Sequence, residues 1–200
     1  RLNAAGILGP RTIVAHAVHI NDHEIAQLAE TGSWVTHQPR SNMNNAVGFA
    51  DVGRMLATGV KVSLGNDGFS NNMFAEMKAA YLGHKLVRGD PREMPADLLF
   101  TLAYGANADL ARIFWPDQRL GVLAPGAMAD IILLEYEPTT PLTAGNLPWH
   151  MIFGYEASAI TTTISAGKVL MQDRRLVTLD EEAITARSRE LAGELWARAA

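Results

Sequence analysis

The chain has 200 residues, 48% hydrophobic and 19% charged, with a formal net charge of −4 and a pI near 5.9. That composition suits a soluble globular protein with a sizeable core. It excludes the basic face of a nucleic-acid binder, and the absence of cysteine excludes a disulfide framework, a thiolate metal site and a Cys nucleophile. Any metal must therefore be held by imidazole and carboxylate. No apolar run approaches the roughly 20 residues that span a bilayer. The chain opens on Arg1-Leu2-Asn3 with no leader-like segment, so a cytoplasmic protein is expected, contacting neither membrane nor nucleic acid. The missing initiator Met suggests a fragment.

Ile13 to Val18 is an apolar run carrying His16 and His19, and it reads as a buried strand. Asn21 and Glu24 have the spacing of a capping box, and the helix they open should stop at Gly32. Trp34 to His37 is a second strand, ended by Pro39. Residues 48–58 hold a helix with Val52, Met55 and Leu56 inward, and Val60 to Leu64 is a third strand running into Gly65-Asn66-Asp67-Gly68. Strand, helix, strand, helix, strand with short links makes parallel βαβ units, in an open α/β sheet or a (β/α)₈ barrel. Polar residues gather at the strands' carboxyl ends, where both architectures place active sites. Three strands cannot close a barrel, which needs eight.

Asn71 to Arg88 follows as a long helix with Met73, Met77 and Tyr81 spaced by four. Pro95 opens another with Leu98, Leu99, Leu102 and Ala103 inward, and a short helix covers about Ala108 to Phe114. The pattern then changes. Ile131–Leu134, Ile160–Ala166, Val169–Gln172 and Leu176–Leu179 are short runs separated by glycine turns, which suggests a small β unit. Asp180 to Ala200 ends the chain as a helix, acidic in its first turn.

Asp67 is the sharpest chemical candidate. It leaves an apolar strand between two glycines, and a carboxylate there can ligate a cation and take a proton from bound water. Asn-Asp-Gly is also good turn chemistry, and on the residues alone both readings stand. His16 and His19 are three apart, so in a regular strand they face opposite sides and cannot share one metal. His37 sits like His16 but can equally be a satisfied polar group. His84, next to Lys85, is expected to be solvated, and His150, beside Trp149, packed or hydrogen-bonded.

Five segments resemble the amidohydrolase superfamily in order along the chain. They are VAHAVHINDHEI (Val14–Ile25), HQPRSNMNNAVG (His37–Gly48), VSLGNDGFSNNMFAEMK (Val62–Lys78), LGVLAPGAMADIILLE (Leu120–Glu135) and TTTISAGKVLMQDRRLVTLD (Thr161–Asp180). The segments resemble those of the SsnA-like aminohydrolases, beside the cytosine, guanine and adenosylhomocysteine deaminases and the triazine chlorohydrolases. The resemblance implies an α/β fold, with strands six to eight of a metal-dependent hydrolase (β/α)₈ barrel in residues 1–120. Residues 121–180 would form β-sandwich strands and 181–200 a terminal helix.

It also implies that Asp67 is a catalytic metal ligand and that His16 is catalytic, substrate-polarising and a possible ligand. His37, Ser41 and Asn42 are placed as substrate-binding residues. The metal would be zinc, with iron or manganese as alternatives. The family's His-X-His, a further His and a catalytic Glu have no counterpart here and are expected upstream of Arg1, which would leave the fragment alone inactive. The implied reaction is deamination of an aminated heterocycle by a zinc-bound hydroxide. Dechlorination, cyclic-amide hydrolysis or a non-catalytic scaffold are the alternatives. The expected partners are a small-molecule substrate and, at full length, a second copy of the protein.

Overall fold

The structure is a computed structural model and describes residues 1–199. Three strands, β1 (Ile13–Ala15), β2 (Trp34–His37) and β3 (Lys61–Leu64), form a parallel sheet in the order β1-β2-β3. The register pairs Val14 with Val35 and Val35 with Val62. Helix α1 (Asp22–Thr31) connects the first two strands; the Asn21–Glu24 capping box is formed and Gly32 ends the helix in the left-handed conformation. A short helix α2 (Pro39–Asn44) and helix α3 (Val52–Ala57) connect the second and third. Parallel strands joined by helical crossovers are the α/β architecture that the apolar pattern predicts.

The helices after the sheet are α4 (Met73–Arg88), α5 (Ala96–Phe100), α6 (Asn107–Phe114) and α7 (Leu147–Phe153). A π-helical stretch, Thr101–Ala106, joins α5 to α6, so the two helices expected there run on as one. Val35, Val52, Met55, Val62, Met77, Leu99 and Ile152 are fully or almost fully buried and mark the core of this unit. At β3, the edge strand of the sheet among the described residues, Asn107 caps the outer edge. Its amide accepts from Leu64 N–H and donates to Leu64 C=O, both at 2.9 Å, as a neighbouring strand would.

Two compact units divide the chain, one of residues 1–128 and 136–157, the other of residues 129–135 and 158–200. The expected boundaries at 120 and 180 differ from these, because the segment 136–157 leaves the β unit and packs α7 on α4. The second unit holds an antiparallel sheet of β4 (Ile131–Leu134), β5 (Ile160–Ser165), β6 (Lys168–Gln172) and β7 (Arg175–Leu176) in that order, with helix α8 (Glu181–Ala199). β7 has two residues, whereas the sequence places a strand over Leu176–Leu179. β1 also stops three residues before Val18, because His16 and Ala17 adopt left-handed backbone (φ 64° and 50°) that no strand accommodates.

Candidate active site

The carboxyl ends of β1 and β3 bring His16 and Asp67 together. His16 Nε2 lies 3.4 Å from Asp67 Oδ2, with the two side chains 38% and 42% exposed. Both residues sit just beyond their strands in left-handed backbone, His16 at φ 64° and Asp67 at φ 54°. Such a conformation costs of order 1–3 kcal/mol and persists only where the surroundings impose it. For His16 they do: its backbone N–H is held by Thr36 C=O and by Gln38 Oε1, both at 2.9 Å. Gln38 in turn lies against Gly65, where a Cβ would stand 3.1 Å from its Nε2. The glycine before Asn66-Asp67 therefore makes room for the side chain that fixes His16.

Helix α2 supplies the rest. Ser41 hydroxyl donates to Asp67 Oδ2 at 2.6 Å, and Asn42 Oδ1 lies 2.7 Å from His16 Nδ1. The Ser41 hydrogen bond, aided by Gly68 N–H and the nearby His16, holds the Asp67 carboxyl below its ordinary range against the opposing effect of burial. With its amide oxygen facing the ring, Asn42 is placed to accept from Nδ1–H, the bond that turns Nε2 toward Asp67. Ser41 and Asn42 are almost fully buried. The sequence places them against substrate; the structure buries them against Asp67 and His16, because α2 follows directly on β2, the strand between β1 and β3.

His37 is the clearest departure. Expected to bind substrate, it is fully buried. Strand alternation turns it away from Thr36, and its ring packs on Phe49 and on His84 of α4, each with centroids 5.1 Å apart. The sequence places His84 in solvent, yet it is buried with its Nε2 3.2 Å from His37 Nε2. Burial, with like charge nearby, pushes His37 down to about 3. Burial likewise takes His84 to about 4. His19 is exposed beyond the end of β1. His150 Nδ1 lies 2.6 Å from Tyr136 Oη, packed and hydrogen-bonded as read.

Residues 1–170 match the Amidohydrolase family. The chain belongs to that family. Among its relatives, the 5'-deoxyadenosine deaminase of Methanothermobacter thermautotrophicus is 38% identical over 198 residues, covering 97% of this chain and 45% of that protein. The 5-methylthioadenosine/S-adenosylhomocysteine deaminase of Desulforudis audaxviator is 35% identical with the same coverage. Of solved structures, a zinc-bound adenosine deaminase from Xanthomonas campestris superposes with a TM-score of 0.83 at 25% identity, over 98% of this chain and 45% of the other. A mutant atrazine chlorohydrolase from Arthrobacter aurescens, complexed with zinc and atraton, gives 0.77 at 27%, over 95% and 42%. This amidohydrolase chain thus spans under half the length of the relatives it matches.

The donor set of the chain fits part of a metal site. Asp67 offers a carboxylate and His16 an imidazole nitrogen, 3.4 Å apart and both partly exposed. Among the described residues no group of three potential metal-binding side chains converges. The sequence does not single out two supporting residues, Arg40 and Glu76. Arg40 Nε donates to Glu76 Oε1 at 2.6 Å, and Glu76 is fully buried on α4. The available signal was an acid in the buried stripe of an amphipathic helix, level with Ala80 and Gly83.

Proposed function

We propose that this chain carries the Asp67–His16 half of the active site of a metal-dependent hydrolase that deaminates an aminated purine nucleoside of the adenosine type. The observation that carries the reading is the convergence of His16 Nε2 and Asp67 Oδ2 within 3.4 Å at the ends of β1 and β3, in a chain whose relatives are named as adenosine-type deaminases. The three parallel strands correspond to strands six to eight of the barrel, and the remaining metal ligands come from chain outside residues 1–200.

Asp67 and His16 would hold a divalent cation, zinc by analogy with the zinc-bound structures. When bound, such a cation lowers the pKa of a coordinated water so that it can attack at neutral pH. The reaction adds water across a carbon–nitrogen bond and releases ammonia. One proton must therefore travel from the attacking oxygen to the leaving nitrogen. Asp67 is ionised at neutral pH and can hold that proton on its carboxylate. Ser41 keeps the accepting oxygen in place, and Asn42 keeps His16 turned so that Nε2 faces Asp67.

The test is ammonia release by the whole protein from 5'-deoxyadenosine, 5-methylthioadenosine, S-adenosylhomocysteine and guanine. Deamination of at least one adenosine derivative is expected. Turnover of chlorinated triazines alone, with chloride released, would replace this reading with the dechlorinating one that the chlorohydrolase likeness favours.

A further inference from the structure

We infer that Arg40 and Glu76 form a positioning pair that holds the loop bearing Asp67, a role that rests on the reading of Asp67 as the reacting carboxylate. Asp67 lies in the segment between β3 and α4, which has neither a strand nor a helix ladder to order it. Its backbone is left-handed at φ 54°, a state that an aspartate leaves readily unless it is restrained. Within the segment, Asn66 Nδ2 donates to Phe69 C=O at 3.2 Å and to Asn71 Oδ1 at 2.7 Å. Those bonds shape the turn but do not fix it to the rest of the molecule.

Beside the Ser41–Asp67 bond, Arg40 restrains the loop from outside. Its Nη2 donates to Ser70 C=O at 2.6 Å, its Nη1 to Ser70 Oγ at 3.3 Å, and its guanidinium covers the Phe69 ring at 5.2 Å. Glu76 holds the other side of the fork, taking Nε at 2.6 Å and the Arg40 backbone N–H at 3.2 Å. One planar guanidinium therefore ties α2, α4 and the intervening loop together, a geometry a point charge cannot reproduce. The adjacent residues complete the arrangement, for Ser41 grips Asp67 and Asn42 grips His16. Three consecutive residues of one helical turn thus reach both reacting groups and their anchor. Glu76 itself has no exposed surface and touches no substrate.

A buried ion pair can also be merely structural, and such a pair can be replaced by apolar side chains at little cost in stability. That difference supplies the test. Backbone order parameters of Asp67–Ser70 are measured by ¹⁵N relaxation on the whole protein, beside its melting midpoint. Glu76→Gln should lower them from about 0.85 to below about 0.6, while those of α4 from Met77 onward stay high. Arg40→Lys should loosen the loop in the same way with Glu76 still paired.

The double variant Arg40→Met, Glu76→Met should recover the melting midpoint but not the loop order. In the whole protein it should also lose roughly 10²-fold in kcat, the scale of an ångström's misplacement, with little change in KM. Restoration of both loop order and turnover by the apolar pair would reduce Arg40–Glu76 to packing and overturn the inference. A rigid loop in all three variants would overturn it as well. If the unsubstituted protein deaminates nothing, the functional reading fails, while the order parameters still decide the positioning role.

Discussion

At the scale of single residues, the proposed function rests first on Asp67, and its replacement by Asn probes that role. Asn tolerates the left-handed backbone at φ 54° as well as Asp does, and Ser41 can still donate to an amide oxygen. The fold should therefore survive Asp67→Asn, with an unchanged circular dichroism spectrum and melting midpoint. Ammonia release should fall by the ~10²–10⁴-fold typical of a lost proton-transfer group, and a variant retaining full turnover would remove Asp67 from the mechanism. This residue is legible in the sequence because an apolar strand running into Gly-Asn-Asp-Gly is a local signal. The roles of Ser41 and Asn42 are not, since each meets its partner across 26 residues of chain. Sequence adjacency also misleads at His84. Its neighbour Lys85 suggests solvent, but the 77, 80, 84 spacing places it on the buried face of α4.

At the scale of elements, β2 and α4 meet through an aromatic cluster behind the site. Phe49 packs edge-on against His37 and His84, with centroids 5.1 and 4.7 Å away. Gly83 admits it, because a Cβ there would stand 2.5 Å from Phe49 Cζ. Gly83→Ala should thus displace a ring already wedged between two imidazoles. A loss of about 1–3 kcal/mol, the usual cost of overpacking, is expected in urea unfolding. An unchanged midpoint would show that Phe49 moves freely.

The same cluster makes stability depend on pH. Both histidines fall from 6.5, to about 3 for His37 and about 4 for His84, chiefly through burial. Asp51 raises His84, while Arg88 and Lys85 lower it, and His16 lowers His37. Between those values and 6.5 the unfolded chain binds more protons than the folded one. Stability is therefore complete above about 6.5 and falls as the pH drops toward 4. Melting midpoints taken from pH 7.5 down to 5 should show this decline. His84→Gln keeps a hydrogen-bonding partner for His37 and should make the decline shallower, with His37 alone still contributing; an equally steep decline would locate the acid sensitivity elsewhere. The strands and helices of this region were legible from apolar periodicity. The histidine pair was not, because strand alternation assigns His37 to a face without saying which face is the core.

At the scale of the whole molecule, the decisive quantity is the number of metal donors. Catalytic zinc ordinarily takes three protein ligands and keeps one position open, whereas on the proposed reading this chain contributes two, Asp67 and His16. Its relatives are more than twice as long, since it covers 45% of each of the two deaminases. Two exposed donors hold zinc weakly, and a ligand stabilises a fold only to the extent that its concentration exceeds its dissociation constant. Residues 1–200 alone should therefore lose zinc on dialysis and melt at the same temperature with or without it. The whole protein should keep its metal through the same dialysis. A strong chelator should remove metal and ammonia release together, and added zinc should restore both. Asp67→Asn and His16→Ala should each lower the metal content of the whole protein, because each removes one donor from a small set. Stoichiometric zinc retained by residues 1–200 would require donors other than Asp67 and His16. Undiminished turnover after the metal has been stripped would dismiss the hydrolytic site as a metal site.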